Sequence, residues 1–293
     1  MGRPSAASDR LVSRLWAKAS LAYRTASACS NWPQVLLTYG LGKMASGAPT
    51  GPPAKELEFR CRDGTRMTSL RDAGSAWPVF EVLVGDAYHI DGLTRLLPLP
   101  VSVVDVGAHV GSATLRFARA WPEAAFVCAE PSPTSRRYLA RNLSRNHVRA
   151  TIVPAAVVSS ADTAVFLREP TPGSCESQVA VQPLPHGPNE QLQRVSAVTM
   201  EELLAGTEGS VVVKLDCEGS EYDIVERTPA SAWTSVLAVV MEYHPVPQRS
   251  FEVLASQLEK AGFRLARREP DHRFPNFGLA WFLQSHLGQA FKA

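Results

Sequence analysis

Two short stretches combine residue types that can move a proton. In KLDCEGSE, residues 214–221, Lys214, Asp216, Glu218 and Glu221 follow directly on an apolar run. Side chains of an extended chain alternate between faces, so Asp216 and Glu218 share one. The same period of two puts Glu242 and His244 of MEYHP on a common face. A weak nucleophile reacts only as it loses its proton, so a positioned base is what such a cluster can supply. His244 suits that task because an unperturbed imidazole titrates near neutrality. Asp216 is the second candidate for the base, and Glu218 would orient the histidine or the bound reactant. Structural readings stand beside these: Asp216 as a helix cap, Glu242 as the partner of Lys214, and His244, before Pro245, as a turn residue. Carboxylates with one histidine can also hold Mg²⁺. The spacing carries no dedicated ligand signature, however, and no metal is expected.

A second constellation lies upstream, in VVDVGAHVG, residues 103–111. An apolar run ends in Asp105 and breaks into Gly107, Ala108, His109 and Gly111. Glu130 follows Gly107 by 23 positions, close to the spacing of about 20 at which an acid after the next strand holds ribose hydroxyls. A nucleoside-bearing ligand fits both features, and so does a tight packing turn with no ligand. A dinucleotide would need a glycine where backbone approaches its pyrophosphate, and His109 occupies that place. S-adenosylmethionine has no pyrophosphate to accommodate.

These residues need elements to hold them. From residue 101 the chain alternates strand and helix, the pattern of an α/β fold with a doubly wound, Rossmann-like parallel sheet. Strands are expected at 101–106, 125–129, 150–156, 211–215 and 236–241, each apolar enough to be buried on both faces. Helices are expected in SATLRFARAW, in SPTSRRYLARNL, after the capping-box pattern at Thr199 to Glu202, and in FEVLASQLEKAG. FRLARRE and GLAWFLQS read as a terminal strand pair. Residues 171–189, rich in Pro and Gly, read as a long loop over one edge, of the kind that forms lids.

Ahead of this core, Arg62-Asp63-Gly64 between LEFRC and TRMTSL signals a hairpin, and WPVFEVLVGDAYHIDGL reads as a lid or base. GAPTGPPAK, residues 47–55, reads as a linker. Arg10, Arg14 and Lys18 recur every four residues on an N-terminal amphipathic helix, with Leu11, Leu15 and Trp16 on other faces. The expected organisation is an N-terminal helical extension and linker over 1–55, a hairpin or lid segment over 56–100, and the catalytic domain over 101–293.

Composition excludes several classes of function. With 45% hydrophobic residues, 20% charged residues and a net charge of +2, the chain has no field to draw in nucleic acid. No stretch approaches the roughly 20 apolar residues of a transmembrane helix, and the first 30 residues lack a secretory core. Cys29, Cys61, Cys128, Cys175 and Cys217 form no CxxC pair. Reduced thiols in a cytoplasmic protein are expected. Oligomeric state is left open, a homo-oligomer included.

The chain resembles the FkbM-type S-adenosylmethionine-dependent methyltransferases in WPVFEVLVGDAY, VVDVGAHVGSATLRFA, VCAEPSPTSRRYLARNLSRN, VVVKLDCEGSEYDIVE and VVMEYHP, which lie in order across residues 77–245. It departs from them at His109, where the family more often has asparagine. The resemblance implies a class I methyltransferase fold, a mostly parallel sheet ending in an antiparallel β-hairpin, and S-adenosyl-L-methionine as cofactor. It implies O-methylation of a small-molecule hydroxyl on a sugar, glycoside or polyketide, as in secondary metabolism and antibiotic biosynthesis. Asp105 and Gly107 would then line the methionine and ribose side of the cofactor, with Ala108, His109 and Asp216 alongside, and Glu130 would accept from both ribose hydroxyls. Gly111 would serve helix packing at the same turn. Glu81, Tyr88 and the 171–189 loop are candidates for positioning the acceptor. An NAD-dependent oxidoreductase and a non-catalytic S-adenosylmethionine-binding protein are the alternative readings.

Overall fold

The computed structural model describes residues 20–37 and 56–289, apart from residues 21, 72, 161–163, 184–185, 189, 273 and 275. The expected N-terminal amphipathic helix and the 47–55 linker lie outside the described residues. Two compact units divide the chain after Gly85.

In the first unit, helical stretches cover 22–28 and 32–37. The expected hairpin follows: β1 (Glu56–Arg60) pairs antiparallel with β2 (Arg66–Leu70). Asp63 Oδ1 accepts from the Thr65 N–H at 2.9 Å, which closes the turn. Leu57, Phe59 and Met67 are buried, as the alternation of apolar and polar positions requires. Helix α1 (Ala73–Leu83) completes this unit and contains Pro78.

The second unit opens with the short helix α2 (Ile90–Leu93), whose first N–H groups are taken by the Asp86 carboxylate. Next come β3 (Ser102–Val106), α3 (Ser112–Ala120), β4 (Ala125–Ala129), α4 (Pro133–Arg145) and β5 (Ala150–Val153). Then follow β6 (Ala155–Val157), β7 (Val165–Glu169), β8 (Gln178–Ala180), β9 (Gln191–Val198) and α5 (Met200–Ala205). The chain ends through β10 (Val211–Leu215), α6 (Glu221–Arg227), β11 (Val236–Tyr243), α7 (Phe251–Lys260), β12 (Phe263–Pro270) and β13 (Gly278–Gln284).

Seven strands form the main sheet in the order β12-β13-β11-β10-β3-β4-β5, parallel except where β13 runs against both β11 and β12. This is the mostly parallel class I methyltransferase sheet with its terminal antiparallel hairpin. Strands β3 and β10 lie at its centre, and every residue of both is buried. Their Val and Leu side chains each contribute about 1.5–3 kcal/mol on burial. Strand order reverses between these two strands, so the crevice at their carboxyl ends is where such sheets place ligands.

Two expectations need correction. The single strand expected over 150–156 is two. Pro154 has no N–H to donate to a ladder, so pairing breaks there. Accordingly β5 ends at Val153 in the main sheet and β6 joins β9 in a second sheet. Nor is β5 buried on both faces, being an edge strand with no fully buried residue. The second sheet, ordered β6-β9-β7-β8, was not anticipated. Part of the stretch read as loop, Gln178–Ala180, pairs with β7 in it.

Candidate active site

The turn after β3 is built on left-handed backbone: Gly107, His109 and Gly111 have φ of 70°, 49° and 92°. Glycine is required at both ends. A Cβ at Gly107 would lie 1.8 Å from the Asp216 carbonyl oxygen, because the β3 and β10 loops cross there. A Cβ at Gly111 would meet Leu139 of α4 at 2.8 Å, so this glycine permits close helix packing. His109 adopts the strained conformation without being a glycine. Its Nε2 donates to the Gly173 carbonyl at 3.0 Å. One end of the Pro/Gly-rich 171–189 stretch is thereby fastened to the turn.

Glu130 stands immediately after β4, buried. One carboxylate oxygen accepts the His109 N–H and the other the Ser132 N–H, both at 2.8 Å. Burial raises its pKa to about 7, against the pull of those two donors. Each oxygen keeps acceptor capacity after its single bond. Ala108 is buried in the turn beside it.

Asp105 plays a different part. It is fully buried, accepts the Thr114 hydroxyl at 2.6 Å and pairs with Lys214 at 3.2 Å. The two are partners because β3 and β10 align them in register. The Lys214 ammonium also donates to the Gly107 carbonyl at 2.7 Å and lies 3.6 Å from Asp216. Burial works against its charge, but Asp105 and Asp216 hold its pKa above the usual value. Lys214 therefore pairs with Asp105 and Asp216.

The proton-moving residues meet where β10 and β11 end. His244 Nε2 is 3.5 Å from Glu218 and 3.9 Å from Asp216, while Nδ1 lies 2.8 Å from Glu221. Asp216 is not a cap of α6, whose N-cap is Ser220; it accepts instead from the Tyr88 hydroxyl. Glu221 is completely buried and also accepts the Cys217 and Gly219 N–H groups at 3.0 and 2.9 Å. It fixes both the loop and the imidazole. Burial alone would lower the His244 pKa, but the Glu221 hydrogen bond and three nearby carboxylates raise it to about 10. Burial raises Glu218 to about 7, partly opposed by His244. It raises Glu242 to about 8, with Asp216 adding to the shift. Asp216 is held below its usual value: burial is outweighed by Lys214, His244 and Tyr88. One ligand atom from each of Asp216, Glu218 and His244 lies within 4.8 Å of the others, close enough to hold a metal ion.

The fold thus joins His244, Asp216 and Glu218 in one group, and places Glu130, Ala108, His109 and Gly107 in another. Lys214 bridges the two through Gly107 and Asp216. Glu81 lies on α1 of the first unit. Two contributions escaped sequence reasoning. Glu221 as the anchor of His244 could have been suspected from a carboxylate at the first position of a helix, facing free N–H groups. The Tyr88–Asp216 bond joins residues far apart in sequence, and no local signal marks it.

A model of the methyltransferase FkbM domain matches residues 105–265. No curated protein sequence matches the chain. Among solved structures, magnesium protoporphyrin IX methyltransferase from Synechocystis PCC 6803, with bound SAM, is similar at 14% identity and a TM-score of 0.37, covering 70% of this chain and 82% of its own. A putative rRNA methylase from Clostridium thermocellum is similar at 9% identity and a TM-score of 0.43, covering 68% and 93% respectively. For an O-methyltransferase family protein from Burkholderia thailandensis the values are 10%, 0.40, 72% and 59%. Likenesses of this degree do not bear on the acceptor. Among the described residues no helix is long and apolar enough to cross a membrane.

Proposed function

The chain belongs to the FkbM methyltransferase family, and from that premise we propose that it methylates a hydroxyl of a small molecule such as a sugar, glycoside or polyketide. S-adenosylmethionine is the methyl donor of the family, and when bound it supplies an electrophilic methyl group on a sulfonium for in-line displacement. Glu130 suits its ribose: an acceptor-only carboxylate at a strand end, each oxygen holding one backbone N–H, has capacity left for two hydroxyl donors. Gly107, Ala108 and His109 offer the adjoining backbone, and Asp216 is joined to that turn through Lys214.

The single observation that carries the hydroxyl reading is the carboxylate–imidazole group at the ends of β10 and β11. An alcohol needs its proton removed as it attacks. Glu218, with a pKa of about 7, is matched to that task near neutral pH. His244, with a pKa of about 10, is a cation there, so it orients Glu218 and offsets charge while Glu221 holds it in place. Asp216, firmly ionised, binds the Tyr88 hydroxyl and Lys214. Alignment of acceptor and methyl supplies much of the remaining acceleration, up to roughly 7–11 kcal/mol.

The test is to incubate the protein with S-adenosylmethionine and paired hydroxylated and aminated acceptors, and to identify products by mass spectrometry. O-methyl products that fall about 10²–10⁴-fold in rate in Glu218→Gln support the reading. N-methyl products alone would overturn it, and S-adenosylhomocysteine binding without turnover of any acceptor would favour a non-catalytic binding protein. A second reading rests on the clustering of Asp216, Glu218 and His244: a divalent cation there would lower the acceptor's pKa directly. Activity abolished by a chelator and restored by Mg²⁺ would select it.

A further inference from the structure

Outside the candidate active site, the first unit holds two cysteines in a specific mutual geometry. Cys29 and Cys61, 32 positions apart in the chain, face each other as an antiparallel bridge. The Ser30 N–H donates to the Arg60 carbonyl at 2.7 Å and the Arg62 N–H to the Ala28 carbonyl at 2.8 Å. These two bonds bracket the cysteines from either side. The cysteines' own N–H groups are used elsewhere, that of Cys29 on the Thr25 carbonyl and that of Cys61 on the Thr65 carbonyl. Cys29 and Cys61 are therefore a non-hydrogen-bonded pair, the type that brings Cα atoms to about 4.5 Å. That separation lies inside the window of about 4.4–6.8 Å in which a disulfide forms without backbone movement.

The neighbourhood keeps the pair in register. Asn31 Nδ2 donates to the Glu58 carbonyl at 2.7 Å, the Arg60 N–H donates to Asn31 Oδ1 at 3.0 Å, and Arg62 Nε donates to the Ala26 carbonyl at 2.8 Å. Cys29 is completely buried whereas Cys61 retains slight exposure. The two thiols are in hydrogen-bond contact. Both cysteines are buried, Cys61 the less completely, so Cys61 is the one a small reagent would meet first.

We infer that Cys29 and Cys61 form a modification site, a thiol pair that small disulfides such as oxidised glutathione convert to a cross-strand disulfide. The Cys61 thiolate attacks one sulfur of the reagent, which breaks the reagent's S–S bond and expels one glutathione thiolate. The Cys29 thiolate then attacks the Cys61 sulfur and expels the second glutathione. Two protein thiols are oxidised, one external disulfide is reduced, and the two protons pass to the departing thiolates. The product ties the segment around Cys29 to the β1–β2 hairpin and closes a loop that contains the Pro/Gly-rich residues 47–55. Such a closure restrains the unfolded chain more than the folded one.

The test uses the full-length reduced protein, equilibrated with oxidised glutathione, quenched in acid, alkylated in denaturant and mapped by peptide mass spectrometry. The expected result is one cross-linked peptide pair joining Cys29 to Cys61, two hydrogens lighter, with Cys128, Cys175 and Cys217 alkylated. Dithiothreitol should reverse it, and oxidation should raise the thermal midpoint of the first unit by on the order of 5 °C, a rise absent in Cys61→Ala. Alkylation of both Cys29 and Cys61, a glutathione that stays on Cys61, or a link to another cysteine would overturn the inference. Mapping the wild-type chain decides the matter even where Cys61→Ala folds poorly.

Discussion

Glu130, with its pKa of about 7, is part neutral and part ionised at neutral pH before anything binds. Ribose hydroxyls donate to the ionised form, so cofactor binding should draw a proton off below pH 7. Affinity for S-adenosylhomocysteine should then weaken by up to about tenfold per pH unit as pH falls from 7. Calorimetry in buffers of different ionisation heat measures both effects, and an affinity flat from pH 5.5 to 7.5 would deny Glu130 this role. Glu130→Gln keeps the shape but not the charge, and should cost about 10- to 100-fold in affinity. At the other end of the crevice, Glu221 supplies the hydrogen bond that offsets the burial of the His244 cation. Glu221→Gln should move the imidazole titration downward from about 10, which NMR of the ring protons would follow. An unmoved titration would transfer the cause to Asp216 and Glu218. The polar residues at the ends of two strands were readable from their types. The alternation expected of an extended chain does not apply to Asp216 and Glu218, which lie in the loop after β10 with Glu218 left-handed at φ 54°. The pKa values on which the proposed choice of Glu218 over His244 as base rests were not legible, since burial and partners set both.

Element by element, the loops decide more than the strands they join. Gly107 is where the β3 and β10 loops cross, so Gly107→Ala sets a methyl group against the Asp216 carbonyl on left-handed backbone. It should cost about 3 kcal/mol or more and move Asp216. Thr199→Ala, by contrast, removes only the capping box of α5, in which the Thr199 hydroxyl accepts the Glu202 N–H and the Glu202 carboxylate accepts the Thr199 N–H. About 1 kcal/mol is expected there. Chemical denaturation of the two variants measures the contrast, and equal costs would mean that the crossing relaxes freely. Strands β3, β4, β10, β11, β12 and β13 and helices α3, α4, α5 and α7 were legible because buried runs, caps and breakers are local signals. The β6–β9 sheet was not legible. β6 and β8 are only three residues each, β8 and β9 have no fully buried residue, and the stretch joining those two is rich in Pro and Gly.

At the scale of the whole molecule, the site costs stability as pH rises. Glu130, Glu218 and Glu242 hold protons in the folded chain up to about 7, 7 and 8, whereas the unfolded chain releases them near 4.5. Their contribution is complete below about 4.5 and is lost as pH climbs through the folded values. His244 acts in the same direction: its contribution is complete below 6.5 and is lost as pH rises through about 10. The thermal midpoint of the second unit should therefore fall between pH 5 and 9. A midpoint that rises over that range would contradict these burial-driven shifts. By itself the sequence determined the doubly wound class, the terminal strand pair and the identity of the two polar groups, because hydrophobic periodicity, capping and strand-end chemistry act over a few residues, while the reversed setting of that pair was implied by the family resemblance. Only the tertiary structure decided that Asp105 is sealed beneath Lys214, that Tyr88 reaches Asp216 and that Glu221 holds His244. Those contacts join strand ends and loops distant in the chain, and the desolvation that tunes them exists only once the sheet has closed around them.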